Sequence, residues 1–448
     1  MPTPAEELAF TAPILARYGD DGPRLIYADF LDESDDPADH ARADLIRVQC
    51  ALARLPDDHP RRPSLRAAET DLLARYQNTW AAPIAGLAAG VEFRRGLLDT
   101  VAVDAGTFLA RGGELFRRAP VRRVRLLAAG RHLARLADCP HLARVRELDL
   151  TGNDLGNGGL NLLVRSPHLG RVVLLDLSFN GVCDGGVRLL AGAATLPRLR
   201  ALYLTDNGRV GDDGLKALAE SPHAAGLHTL DVSGNAVTDV GVRAAAEPKS
   251  FARLHTFRVF ANPIGDAGVS ALVRSPLLAR LLEKVAVLDL RDNQITAAGA
   301  AALVSSPFAA AIERLNLSGN WLGDAGLLAL AESPHLGRLR RLTVGRNHVG
   351  DQGAVGLARS PLMSRLTHLD LSKNQITETG VDALWAARGS FRTVLKLDGN
   401  LVTGGDPAGH RLLVGNWLAN DLAGSGPPYP LQPEVSRVLR RYSGTGAG

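Results

Sequence analysis

The sequence predicts an α/β repeat array preceded by a small helical module, and three observations carry that prediction. The phrase "LNLSGNWLGDAG" (Leu315–Gly326) returns as "LDLTGNDLGNGG" from Leu148, "LDLRDNQITAAG" from Leu288 and "LDLSKNQITETG" from Leu369. The asparagine of each phrase recurs as Asn153, Asn180, Asn207, Asn235, Asn262, Asn293, Asn320, Asn347, Asn374 and Asn400, at gaps of 27, 27, 28, 27, 31, 27, 27, 27 and 26 residues. A fixed period of this length is the mark of stacked supersecondary units. Finally, each unit changes its apolar periodicity half-way along, from a period of two to helical spacing.

Each element of the unit follows from its residues. Apolar residues stand five and three places before each asparagine, as in Leu148 and Leu150, Leu230 and Val232, Phe257 and Val259, and Leu342 and Val344. This alternation predicts a short strand with that pair facing inward. The asparagine turns the chain out of the strand, and its amide carries both donors and an acceptor with which to bridge neighbouring coils. Ten such residues form a structural ladder rather than a catalytic set, because each has a counterpart in every other coil. The following apolar pattern, as in "LGDAGLLALAESPHLGRL" (Leu322–Leu339), predicts a helix capped by a nearby Asp or Thr. Glycines at Gly159, Gly186, Gly214, Gly241, Gly268, Gly299, Gly326, Gly353 and Gly380 are expected to let helix pack closely on strand. Ser-Pro pairs such as Ser221-Pro222 and Ser333-Pro334 end the helices.

The frame L-x-x-L-x-L-x-x-N followed by a helix resembles the leucine-rich repeat from about Leu133 to Asn400, and its period resembles the ribonuclease-inhibitor-like subtype. The resemblance implies a horseshoe solenoid with parallel strands on the concave face and helices on the convex face. It also suggests a rival function, regulation of an enzyme by nuclease inhibition or small-GTPase activation.

Four segments are expected. Residues 1–80 lack the repeat. Within them Leu25, Ile26, Phe30 and Leu31 lie on one helical face and Leu45, Ile46, Val48, Leu52 and Leu55 on another, which predicts two helices packed together. The stretch resembles the repeat-companion domain that precedes leucine-rich arrays in some bacterial proteins, through Tyr27-Ala28-Asp29, Asp32-Glu33 and Leu45-Ile46-Arg47-Val48-Gln49. Residues 81–132 read as degenerate leading coils that shield the array, 133–400 as the solenoid and 401–448 as a C-terminal cap with a flexible tail. The 31-residue gap adds four residues, about one helical turn.

Composition narrows the function. A net charge of +4 from 51 basic and 47 acidic residues is too weak a field to argue for nucleic acid. Cys50, Cys139 and Cys183 are expected to be buried thiols in a reducing compartment, and no apolar run is long enough for a membrane. A cytoplasmic monomer without cofactor or metal is expected. His141, His168, His223 and His335 occupy one loop position in different coils and read as turn residues, and the acidic run Asp29–Asp39 lacks calcium-loop spacing. No nucleophile elbow, phosphate loop or zinc-protease motif is present, so the sequence predicts a non-enzyme.

The expected task is recognition of a protein on the concave face. Between the inward residues of each strand stand Asp149, Asp176, Tyr203, Asp231, Arg258, Asp289, Asn316, Thr343, Asp370 and Lys396. Tyr203 and Arg258 depart from the common aspartate, and Phe260 shares the face of Arg258, a composition suited to a binding hot spot. Arg291, Arg314, Arg341, Arg346, Lys373 and Lys396 give the later coils a basic character, against Glu147, Asp149, Asp176 and Asp206 in the early ones.

Overall fold

The computed structural model describes residues 4–55, 59–247, 249–284, 286–388 and 393–402. The C-terminal cap and tail expected over 401–448 lie outside these residues beyond position 402.

The chain opens with four helices, α1 (Pro4–Ala16), α2 (Gly22–Asp32), α3 (Pro37–Arg54) and α4 (Arg62–Ala81). The inner face of α2 is Tyr27, Ala28 and Leu31, whereas Ile26, expected inside, is 61% exposed. These residues meet Ala43, Ile46 and Cys50 of α3 in one cluster that also takes in Leu97 of the array. The Trp80 indole N–H donates to the Ala38 carbonyl, and Leu45 and Trp80 join the main core, so the helices are packed onto the first strands.

The strands are β1 (Gly90–Arg94), β2 (Leu97–Asp104), β3 (Arg123–Leu127), β4 (Glu147–Asp149), β5 (Leu174–Asp176), β6 (Ala201–Tyr203), β7 (Thr229–Asp231), β8 (Thr256–Arg258), β9 (Val287–Asp289), β10 (Arg314–Asn316), β11 (Arg341–Thr343), β12 (His368–Asp370) and β13 (Val394–Lys396). From β2 onward neighbours are parallel, and from β3 onward they pair in the register of the repeat, Leu148 against Leu175 against Leu202. The leading segment differs from a simple coil: β1 runs antiparallel to β2 and covers the open edge of the parallel sheet. Strands stack about 5 Å apart and helices about 10 Å apart, so the array bends with its strands on the concave side. One core runs the length of it, with Leu148, Leu175, Leu202, Leu230 and Leu317 fully buried.

Three ladders of side chains tie coil to coil. The Asn207 amide donates to the carbonyls of Leu177, one coil back, and Leu204 of its own coil, while its oxygen accepts from the N–H groups of Asn180 and Val182. Asn374 repeats this, and Asn347 donates to the carbonyls of Leu317 and Gly345 and accepts from the Leu322 N–H. The aspartates expected to cap their own helices instead serve the next one. Asp184 accepts from Gly211 and Gly214, Asp212 from Thr238 and Gly241, and Asp351 from Thr377 and Gly380. This corrects the role of the helix glycines too, since a Cβ at Gly214 would lie 2.7 Å from the Asp184 carboxylate; the close approach is to the preceding coil. The Ser-Pro serines close the other end: Ser221 donates to the Ala191 carbonyl and Ser333 to that of Val304. Ser166, Ser221 and Ser333 also accept the N–H of His168, His223 and His335, and Leu277 and Phe308 take the same place, so the backbone is what the turn needs there.

The long repeat interrupts the sheet. Strands β1–β8 form one ladder and β9–β13 a second, and the extra residues form the helix Pro276–Lys284 on the way back to β9. Elsewhere the residue after each strand donates to the next strand, as Val232 does to Arg258 and Val344 to Asp370. Among the described residues Val259 makes no such bond to Asp289, although Ala261 still donates to Arg291.

Candidate recognition surface

Side chains alternate along the strands, so the residues between the inward leucines form a row on the concave side. In the first sheet that row runs Arg125, Asp149, Asp176, Tyr203, Asp231, Arg258. Its aspartates are structural. Asp149, Asp176 and Asp231 each accept the N–H two residues on, from Thr151, Ser178 and Ser233, and Asp289 and Asp370 do the same for Arg291 and Ser372. The three in the first sheet are also buried, Asp231 to 1% exposure.

Two of these carboxylates share one buried cation. Arg123, 3% exposed, donates to Asp149 at 2.6 Å and lies 3.9 Å from Asp176. Burial acts against the Asp149 carboxylate, but Arg123 outweighs it and holds the group below the usual range. Asp176 is farther from that cation; burial and the neighbouring Asp149 push it up to about 6.

The sequence-derived candidates separate into groups. Tyr203, expected to be exposed, is buried at 7%, because Asp176 and Asp231 flank it on adjacent paired strands. It is therefore removed from the exposed patch. Arg258 is half-buried with its guanidinium 3.7 Å from Asp231. Phe260 is half-buried beneath Arg291, whose guanidinium carbon sits 4.1 Å from the ring centre. These three come together across the break between the sheets. Arg314 and Arg341 face each other in register, both half-buried. Arg346 is exposed and bonds Asp292 at 2.7 Å, two coils away, passing over Gly319. A side chain at Gly319, where φ is +66°, would collide with Asp292. Lys373 is exposed, and Lys396 lies 3.4 Å from Asp370.

Two features escaped the sequence reading. The residue before each ladder asparagine is left-handed, including Phe179, Asp206, Ala261, Asp292, Arg346 and Lys373, so these side chains leave the coil at the rim of the concave face. Their mixed chemistry concealed the conformation, which only Gly152, Gly234, Gly319 and Gly399 advertised. Trp321, just after its asparagine, is 59% exposed. Its signal was present, since that place otherwise holds Asp, Gly, Ala, Pro, Gln, His or Leu.

The thiols are free, Cys50 and Cys139 buried and Cys183, contrary to expectation, only half-buried. Among the described residues no group of three or more His, Cys, Asp or Glu is placed to hold a metal, and no helix is long and apolar enough to cross a membrane.

A profile described as Leucine Rich repeat matches residues 141–164, 196–219, 227–244, 284–304, 312–331, 339–358 and 364–384. The repeats are leucine-rich repeats. Such repeats generally act in protein–protein recognition. Among solved structures, an internalin from Listeria monocytogenes is similar at 19% identity, covering 59% of this chain and 78% of its own, with a TM-score of 0.37. A plant ice-binding protein is similar at 17% identity, covering 50% of this chain and 71% of its own, with a TM-score of 0.29. No curated protein matches the sequence. In these leucine-rich repeats, then, the periodic polar residues are engaged in holding coils together, and the aperiodic ones stand on the concave side and its rim.

Proposed function

We propose that this protein is a non-enzymatic recognition scaffold that binds a protein partner on the concave face of its leucine-rich solenoid. The observation that supports this is the division of labour among polar side chains. The recurrent Asn, Asp and Ser are committed to inter-coil hydrogen bonds, while Arg258, Phe260, Arg291, Arg314, Arg341, Arg346, Lys373 and Lys396 vary from coil to coil. A scaffold with a periodic frame and aperiodic face is what recognition requires. The period of the repeats favours the ribonuclease-inhibitor-like subtype, and the joint core of α1–α4 with β2 favours a capping role for residues 1–80.

The test is retention of a partner from lysate of the source cells by wild type and by a Phe260→Ala, Arg291→Ala double variant of unchanged thermal stability. Loss of one protein from the variant supports the reading. Equal retention by both moves the contact away from the concave face.

A further inference from the structure

Of the surfaces left unexplained by the frame, the rim beside the break between the sheets combines the most independent features. A shallow open depression of about 370 Å³ is lined by Ala261, Pro263, Gln294, Gly319 and Trp321, with Asp292 at its side. Its apolar walls are Ala261, Pro263 and the exposed Trp321 indole. Gly319 keeps its floor low. Gln294 is exposed at its mouth and makes no side-chain hydrogen bond among the described residues, so its amide is available to pair with a main chain.

Charge decides what would fill it. On the rim and concave strands that follow, Arg314, Arg346, Lys373 and Lys396 stand against Asp292, Asp370 and Asp398, and Asp370 is further held by its own turn. Asp292 is already neutralised by Arg346, and Lys373 is exposed with no acidic partner among the described residues. The depression has room for one large side chain, and Lys373 leaves an unpaired positive charge farther along the same rim.

We infer that this rim is a peptide-docking site that seats one aromatic or large aliphatic side chain against Trp321 and Pro263, with an acidic residue of the same partner segment lying at Lys373. The proposal rests on the recognition reading above and names the chemistry of the partner: an acidic, extended segment with an apolar anchor. Trp321 is the anchor of the protein's side of the contact, and an exposed tryptophan in a shallow apolar seat is the composition typical of a hot spot. Lys373 contributes chiefly to encounter rate and salt dependence, as charges at a rim do.

The experiment selects a displayed library of random short peptides on the full-length chain and measures enriched peptides against wild type, Trp321→Ala and Lys373→Glu. The expected result is a consensus of an aromatic or leucine residue beside Asp or Glu, weakened about thirtyfold or more by Trp321→Ala. Lys373→Glu is expected to weaken the same peptides several-fold and to flatten their salt dependence. Enriched peptides that are basic, or that bind Trp321→Ala as tightly as wild type, overturn the proposal. So does a selection that enriches no peptide. In each of these cases the scaffold reading stands or falls separately, on retention of a folded partner by the Phe260, Arg291 double variant. Circular dichroism melts of Trp321→Ala exclude misfolding as the cause of a loss.

Discussion

The two sheets are made from one repeat, yet the ion pairs on their concave side differ in exposure. In the first, Arg123, Asp149, Asp176, Tyr203 and Asp231 are packed below 9% exposure, and the cation and its carboxylates are interlocked. In the second, Asn316, Thr343 and Asp370 are half-buried and the ion pairs Lys396–Asp370 and Arg346–Asp292 face water, although the Asp289 side chain is as covered as that of Asp176 and burial raises its pKa. The difference teaches that a position in the repeat does not determine solvation; the flanking strands do. Arg123 is buried beside its carboxylates, whereas Arg314 and Arg341, at the same place in the repeat, are half-buried.

The largest consequence should be seen by deleting one cation from each sheet. Arg123→Ala leaves Asp149 as an uncompensated buried charge and is expected to cost about 3–5 kcal/mol in chemical denaturation. Lys396→Ala, at a partly exposed pair, should cost about 0–1 kcal/mol. Equal losses would erase the contrast between the sheets.

A pH series sharpens the same point. Asp176 has a folded-state pKa raised to about 6, above its ordinary value of 3.8. The native state therefore binds the proton more tightly than the unfolded chain does. The stability this group contributes is complete below about pH 4 and is lost as pH rises through 6. Asp176→Asn keeps an acceptor for the Ser178 N–H without a charge. It should match or fall below wild type at pH 4 and exceed it by something on the order of 2 kcal/mol at pH 7.5. A difference independent of pH would refute the burial of a charged Asp176.

Hydrogen exchange examines the boundary between the sheets. The Val259 N–H, without the bond to the next strand that Val232 and Val344 make, should exchange at least about tenfold faster than either. Comparable protection at all three would mean that the sheet is continuous in solution.

The smallest effect concerns the left-handed rim. Lys373 has φ +54°, where a side chain costs about 1 kcal/mol and glycine costs little. Lys373→Gly is expected to raise stability by about 0.5–1 kcal/mol, whereas Gly319→Ala should lower it by more, because Asp292 occupies the space. A destabilised Lys373→Gly would show that its aliphatic stem packs on Gly399 with greater weight than the backbone strain.

Periodicity by itself determined the number of coils, the inward leucines, the positions of the ladder asparagines and the place of the long repeat. Those are properties of one unit, set by which residues alternate and which turn the chain, and a unit can be read in isolation. Tertiary structure alone decided which coil each polar residue serves. Asp184 and the Gly211 and Gly214 amides it binds lie about one repeat apart, and the local pattern around Asp184 is equally consistent with a cap on its own helix. The same holds for Tyr203, buried by strands whose own sequences lie 27 and 28 residues away, and for Arg346, which finds Asp292 across an intervening glycine. It holds again for the break after β8, where one additional helical turn is enough to draw neighbouring strands apart. Each depends on contacts between coils, and stacking is what brings those residues within reach.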